Sequence, residues 1–134
     1  MLKDRTCGIL LHITSLPSEF GVGDLGPEAY KFADFMLKAG LTYWQILPLN
    51  PTTPIAADSP YFSSSAFAGN ALLIDPVGLV EDGLLTREEL GQPMPCDAAV
   101  DFEAARTHKV PLLDLAVQRF LASPPPQPFT EFCA

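Results

Sequence analysis

The sequence is poor in positive charge and contains no long apolar run. Its 8 Lys and Arg residues stand against 16 Asp and Glu residues, which gives a formal net charge of −8. Nucleic acids and anionic membrane surfaces bind clustered Lys and Arg, so neither is expected as a partner. No apolar run approaches the roughly 18 residues that span a bilayer, and no basic segment leads into a signal-like apolar stretch. The sequence therefore predicts a protein without nucleic-acid or membrane partners.

Cysteine is also scarce, which argues against a disulfide framework. Cys7, Cys96 and Cys133 are odd in number, lie far apart and form no CxxC pair. We expect buried or free thiols in a reducing cytoplasm. No cluster of His, Cys and Asp has the spacing of a metal site, and no Ser/His/Asp set is evident, so we expect no bound metal.

Two apolar segments flank a helical segment in the first part of the chain. The run Cys7–Thr14 predicts a strand buried on both faces, and the aromatic-rich run Thr42–Leu49 predicts a second strand. Between them, Pro27 suits the first position of a helix and Gly40 suits its C-terminal cap. Strand, helix and strand in this order predict an α/β fold with a right-handed βαβ unit and a parallel strand pair.

The helix of this unit carries a wide apolar stripe. Tyr30, Ala33 and Leu37 fall at helical spacing, and neighbouring apolar residues widen the stripe. Such a stripe is typical of a helix that packs on a broad face.

Residues 50–70 show no hydrophobic period and are rich in Pro, Ser, Thr and Ala. A loop of this length in a compact domain is usually functional or disordered, and its aromatic residues argue against disorder. The apolar run Ala71–Asp75 that follows suggests a third strand, and Asn70 is expected to cap the turn before it.

The last part of the chain predicts several helices. Residues 76–85 indicate a short helix or turn, and Thr86 with Glu89 has the spacing of a capping box. Residues 109–122 predict a second substantial helix, and the proline-rich residues 123–128 predict a stiff break. Thr130 is then expected to cap a further helix, and because the chain stops on that apolar turn we expect it to be a piece of a longer protein.

The loop Gly21–Gly26, "GVGDLG", matches the G-x-G-x-x-G pattern of dinucleotide-binding proteins, but its surroundings do not. The segment "SLPSEF" separates it from the strand, and Pro27 has no amide hydrogen to offer a phosphate. Asp24 puts a negative charge inside the loop, and no acidic residue closes the second strand to hold a ribose. We therefore predict a turn in which Asp24 helps to organise the start of the helix.

Four segments, in this order, resemble one enzyme family: "GILLHITSLPSEFGVGDLGPEAYKFADF", "YWQILPLNPT", "DSPYFSSSAFAGNALLID" and "VDFEAARTHKVPLL". From about Cys7 onward, the sequence resembles the N-terminal part of amylomaltases, the bacterial 4-α-glucanotransferases also called disproportionating enzymes. The resemblance implies a (β/α)8 TIM barrel with inserted helical subdomains. It also implies cytoplasmic transfer of α-1,4-glucan segments between maltooligosaccharides, by a retaining mechanism and without a cofactor.

The resemblance also implies how much of such a barrel this chain contains. Residues 1–75 correspond to the first βαβ portion, with a substrate-facing loop at 50–70, and residues 76–134 to part of an inserted helical subdomain. The family's catalytic carboxylates lie on later strands, so no acid here is expected to be catalytic. We expect the chain alone to be inactive, and its open sheet edges to favour a homo-oligomer. The alternatives are a maltooligosaccharide-binding module without catalysis and a structural piece without a ligand.

The expected substrate-binding residues lie at the C-terminal ends of the strands, where the active sites of such barrels form. Tyr61 can stack on a sugar ring, while Asp58 and Ser59 can bond sugar hydroxyls. The resemblance implies that Ser59 and Tyr61 line the donor side, and His12, at the end of the first strand, can face the same cavity. Three of them have a structural alternative: a loop-anchoring aromatic for Tyr61, a turn cap for Asp58 and a buried structural histidine for His12.

The segment "TPIAA", residues 53–57, departs from the family pattern. Between "PT" and "DSPY" the family commonly has a short turn with a glycine and an aromatic residue, often linked to a secondary glucan-binding surface. "TPIAA" has neither, which argues against that secondary surface here.

Overall fold

A parallel pair of short strands and the helix that connects them form the first part of the fold. The computed structural model describes residues 5–94 and 99–133. Strand β1 covers Gly8–Leu10, helix α1 covers Pro27–Lys38 and strand β2 covers Tyr43–Gln45. The strands pair in parallel, with Ile9 opposite Trp44. The predicted strand–helix–strand order and parallel pairing are confirmed.

Both strands are shorter than predicted. The backbone N–H of Leu11 donates to Gln45 O at 3.1 Å, and after this bond the chain leaves the ladder and forms a 3-10 turn at Ile13–Ser15. The prediction that β1 is buried on both faces is wrong for the described residues, because Gly8 and Leu10 are exposed. A two-stranded sheet is too narrow to cover both faces of either strand.

Helix α1 begins and ends where the sequence predicts. Pro27 occupies its first turn, and Gly40 follows it with a φ of +70°, the left-handed conformation that glycine adopts without strain. Met36 is buried, whereas Tyr30 is 72% and Leu37 79% exposed. The predicted packing of the whole apolar stripe is therefore wrong for the described residues, since the short strand pair covers only part of it.

The regular elements of the described chain after β2 are helices and 3-10 turns. Helix α2 covers Pro76–Glu81, α3 covers Phe102–Leu121 and α4 covers Gln127–Cys133, while further 3-10 turns lie at Pro54–Ala56, Ala71–Leu73 and Glu88–Leu90. The strand suggested at residues 71–75 is wrong. The Leu72 N–H donates to Asn70 Oδ1 at 3.0 Å, and Asp75 caps α2 through the N–H groups of Val77 and Gly78. Caps at both ends of this short run favour a turn over an extended strand.

Helices α3 and α4 both begin earlier than predicted. Asp101 caps α3 by accepting a hydrogen bond from the Ala104 N–H at 2.9 Å, so the helix includes the segment before Lys109. Thr130 lies inside α4 rather than at its cap, because the helix already begins at Gln127.

The buried core joins the loop after β1 to α3. One cluster packs Phe20 against residues of the last part of the chain: Leu85, Leu90, Leu112 and Ala116. A second cluster packs Val22 against Leu72 and Ala105. Buried contacts therefore run across residue 75, and the division of the chain at that position stays a prediction.

Neither described cysteine is buried, and no described helix is long and apolar enough to cross a membrane. Cys7 and Cys133 are exposed, free thiols, so of the expected buried or free thiols these two are free. Cys96 lies outside the described residues.

Candidate functional site

The loop "GVGDLG" is a tightly packed turn. The Gly26 N–H donates to Asp24 Oδ1 at 3.2 Å, immediately before α1, so the predicted role of Asp24 at the start of the helix is confirmed. Gly23 admits no side chain, because a Cβ there would lie 2.1 Å from Ile13 O. Asp24 is 5% exposed. The close packing at Gly23 leaves no space for a phosphate, and the buried negative charge of Asp24 would repel one.

Asp24 forms a buried ion pair that the sequence did not predict. Lys109 Nζ donates to Asp24 Oδ2 at 2.9 Å and to Leu72 O at 2.7 Å, and it lies 5.6 Å from the centroid of the Phe20 ring. Burial raises the pKa of the Asp24 carboxyl and lowers the pKa of the Lys109 ammonium, because desolvation disfavours both charged forms. The mutual attraction of the two groups opposes both shifts. The only sequence signal for the pair is the position of Lys109 on the apolar face of α3.

His12 is bound to the chain that leaves β2. The Leu47 N–H donates to His12 Nδ1 at 3.2 Å, so the neutral ring carries its proton on Nε2. Trp44 Nε1 donates to Leu11 O at 2.7 Å beside it. Burial lowers the pKa of His12. Because β1 and β2 are parallel, His12 and Leu47 both lie at the C-terminal edge of the strand pair, where the loop at residues 50–70 begins.

The loop at residues 50–70 is folded by its own hydrogen bonds. Asn70 N–H donates to Leu49 O at 2.8 Å and closes its base, and Ser63 Oγ donates to Pro51 O at 2.7 Å. The expected cap role of Asn70 is confirmed by the bond to Leu72 described above. These contacts return the loop to the edge of the strand pair.

Asp58 lies at the sharpest bend of this loop. Both Ala57 and Asp58 have positive φ, +50° and +54°, and the Asp58 N–H donates to Thr53 O at 3.0 Å. The Asp58 carboxylate forms an ion pair with Arg106 of α3, and its side chain is 9% exposed. Sequence reasoning did not single out Arg106, because nothing local relates it to a loop 48 residues away.

Ser59 and Tyr61 follow directly from this bend. The Tyr61 N–H donates to Ser59 Oγ at 3.4 Å, so both residues belong to one turn. The Tyr61 side chain is 75% exposed, and the neighbouring Phe62 is 69% exposed. The structure thus brings Asp58, Ser59 and Tyr61 together in one turn, while their proximity to His12 and their contact with a sugar stay predictions. Within residues 5–94 and 99–133, no group of three or more His, Cys, Asp and Glu side chains could hold a metal ion.

A comparison with protein families decides the assignment. The family model described as 4-alpha-glucanotransferase, Glyco_hydro_77, matches residues 11–134. The chain belongs to the 4-alpha-glucanotransferase family. The resemblance seen in the sequence is thereby confirmed.

Individual relatives agree with this family. The 4-alpha-glucanotransferase of Aquifex aeolicus is 49% identical over 87% of the chain and 24% of its own length. The chloroplastic/amyloplastic 4-alpha-glucanotransferase of Solanum tuberosum is 46% identical over 89% of the chain and 21% of its own length. Among solved structures, amylomaltase from Streptococcus agalactiae in complex with acarbose is similar with a TM-score of 0.82 and 40% identity, over 90% of the chain and 24% of that protein. The chain therefore spans about a quarter of the length of these relatives.

Proposed function

We propose that this chain is the N-terminal part of a 4-alpha-glucanotransferase and supplies one wall of its α-1,4-glucan site. The observation that carries the proposal is the exposed Tyr61, held in one turn with Ser59 in a loop whose base closes just after β2, where the Asn70 N–H donates to Leu49 O. In (β/α)8 barrels the C-terminal edge of the strands holds the active site. The similar amylomaltase structure is in complex with acarbose, which supports sugar binding by the family. A barrel whose first βαβ unit is β1, α1 and β2 fits this arrangement.

The role of this wall is binding rather than bond breaking. The exposed ring of Tyr61 stacks on the apolar face of a glucose unit, and the Ser59 hydroxyl bonds a sugar hydroxyl. A retaining transfer needs two carboxyl groups about 5 Å apart, one as nucleophile and one as acid/base. The carboxylate of this loop, Asp58, is held by Arg106. We therefore propose that the catalytic pair lies outside these residues and that the chain alone transfers no glucan.

Two assays test this function. The chain is incubated with maltotriose, and the products are analysed for glucose and longer oligomers; we expect none, and any transfer product contradicts the assignment of the catalytic pair. The chain is then titrated with maltoheptaose, followed by NMR, and we expect binding in the millimolar range. A wild-type chain that does not bind at that concentration contradicts the glucan-binding role.

A pair of matched variants locates the binding surface. Tyr61→Ala should abolish the response to maltoheptaose, because it removes the stacking ring. Tyr30→Ala should leave it unchanged, because Tyr30 is equally exposed, at 72%, but lies on α1 away from the loop. Equal losses in both variants contradict a site at the loop.

The compartment and the assembly of the chain are further proposals. We propose a cytoplasmic protein, supported by its three widely spaced cysteines, two of which are free in the structure. We also propose that this chain alone forms a homo-oligomer, because Leu10 and Tyr43 are exposed and each described strand has one unpaired edge. Analytical ultracentrifugation tests this, and a monomer at all concentrations contradicts it.

A further inference from the structure

A charged pair joins helix α3 to the proposed glucan-binding loop. Arg106 Nη2 donates to Asp58 Oδ1, joining side chains 48 residues apart in the chain. The Arg106 side chain is 25% exposed and the Asp58 side chain 9%, so the pair is largely shielded from water. Shielding makes a charge-assisted bond stronger than it is on an open surface.

The bend at Asp58 needs external support. Ala57 and Asp58 are consecutive non-glycine residues with φ of +50° and +54°. The left-handed conformation is strained for a residue with a Cβ and persists where surrounding contacts hold it. The bend aims the next residues, because Ser59 N–H donates to Ala56 O at 3.0 Å and Tyr61 N–H donates to Ser59 Oγ. The conformation of Asp58 therefore sets the position of Ser59 and Tyr61.

Helix α3 is fixed firmly enough to provide that support. Lys109, three residues beyond Arg106, is fully buried and binds Asp24 and Leu72 O. Ala105, immediately before Arg106, is also fully buried against Val22 and Leu72. The guanidinium of Arg106 thus projects from a helical turn whose backbone is held on both sides.

We propose that Arg106 is a positioning residue for the turn Asp58–Tyr61, which it holds in the conformation that presents Ser59 and Tyr61 to an α-1,4-glucan. This inference rests on the proposed function for its ligand, but not for its effect on the loop. Arg106 does not itself touch the sugar in this proposal. It acts by fixing the carboxylate of Asp58.

Amide hydrogen exchange and a maltoheptaose titration test the proposal on the full 134-residue chain. Arg106→Ala should speed exchange of the amides of Ala57, Asp58, Ser59 and Tyr61 by about tenfold or more, because it removes a hydrogen bond between two charged groups. Exchange in the buried part of α3, at Leu112 and Ala116, should stay within about twofold of the wild type. The same variant should weaken maltoheptaose binding by about tenfold, in line with the loss of that hydrogen bond.

Three further variants separate positioning from a general loss of charge or structure. Arg106→Lys should restore part of the protection and of the affinity, because Lys keeps the charge but lacks the planar fork. Asp58→Asn should reproduce Arg106→Ala, and the double variant should add little to either, because the two residues act as one unit. Arg87→Ala removes an equal charge from an exposed residue at the 3-10 turn Glu88–Leu90 and should change neither readout.

The outcomes distinguish this inference from the proposed function. If Arg106→Ala leaves amide exchange at Ala57, Asp58, Ser59 and Tyr61 unchanged, the inference is overturned, whatever the variant's affinity for maltoheptaose. Faster exchange with unchanged affinity also overturns it, because the turn then need not be held for binding. A wild-type chain that binds no maltoheptaose contradicts the proposed function. In that case the inference loses its sugar-binding part, and amide exchange alone decides whether Arg106 holds the turn.

Discussion

Lys109 of α3 and Asp24 of the loop before α1 meet at 2.9 Å in the interior, although 85 residues separate them in the chain. Lys109 is fully buried. Its ammonium group contacts Asp24 and Leu72 O and also lies near the Phe20 ring. Taking two charges out of water is costly, and only the close pairing and the added hydrogen bonds offset that cost. The pair therefore fixes the position of α3 relative to the unit formed by β1, α1 and β2.

Lys109→Met is expected to lower the free energy of unfolding by about 3–5 kcal/mol, because it leaves the Asp24 carboxylate buried without its partner. Burial already raises the pKa of Asp24, and losing Lys109 removes the main contribution that lowers it. The carboxyl is then protonated more easily in the folded state than in the unfolded state. The stability that Lys109→Met loses relative to the wild type should accordingly be smallest at acidic pH and grow as pH rises through the folded-state pKa of Asp24 in the variant. Urea unfolding at several pH values measures this.

The double variant Lys109→Met with Asp24→Asn is the control for this prediction. It removes both charges at once, so most of the lost stability should return at neutral pH. A single variant that is as stable as the wild type, or a double variant less stable than the single one, contradicts the assigned role of the pair.

The local parts of the fold could be predicted from the sequence because their signals are local. Pro27 and Gly40 mark the ends of α1, and Asp24 organises its start, as expected. The run at residues 71–75 could not be assigned correctly, since four consecutive apolar residues fit a strand or a turn equally well and the caps at Asn70 and Asp75 decide between them.

The site was only partly predictable for a different reason. The turn of Asp58, Ser59 and Tyr61 follows from the motif "DSPY", and the position of His12 beside the chain that leaves β2 follows from the parallel strands. Arg106 and Lys109 contribute through partners 48 and 85 residues away, and no spacing rule in a single sequence relates such positions. The exposed state of Tyr30 and Leu37 also depends on which other parts of a protein lie against α1, not on helical period.

The ion pair between Glu89 and Arg119 should make stability depend on pH in the acidic range. Arg119 donates to both Glu89 oxygens, at 2.6 and 2.7 Å, and the Thr86 N–H donates to Oε2 at 2.8 Å. These bonds lower the pKa of Glu89 to about 2. A carboxyl with a lowered folded-state pKa contributes stability that is present above its ordinary pKa of 4.5 and lost as pH falls towards 2.

Glu89→Gln isolates this contribution, because Gln at the same position can still accept the bond from Thr86. The difference in melting temperature between wild type and Glu89→Gln should be constant at neutral pH and shrink steadily as pH falls from 4.5 towards 2. Glu88→Gln removes an equal charge from a residue without an ion pair among the described side chains, and should show a much weaker trend. A wild-type advantage that does not shrink between pH 4.5 and pH 2 contradicts the lowered pKa.

Ala57→Gly should stabilise the chain, although glycine normally destabilises folded proteins. Ala57 has a φ of +50° and follows the 3-10 turn Pro54–Ala56. Removing its Cβ relieves a left-handed penalty of about 1–2 kcal/mol, while the added freedom of the unfolded chain costs about 0.4–1 kcal/mol. We expect a net gain of about 0.5–1 kcal/mol in the free energy of unfolding, measured by urea denaturation.

Ala56→Gly is the matched control one residue earlier. Ala56 lies within the 3-10 turn and has no positive φ, so glycine there relieves nothing and should lower stability by about 0.5–1 kcal/mol. A gain in stability at residue 57 together with a loss at residue 56 follows only if the backbone at Ala57 is left-handed. Two losses of equal size would show that residue 57 is not strained, and would also weaken the argument that Arg106 holds the turn against such strain.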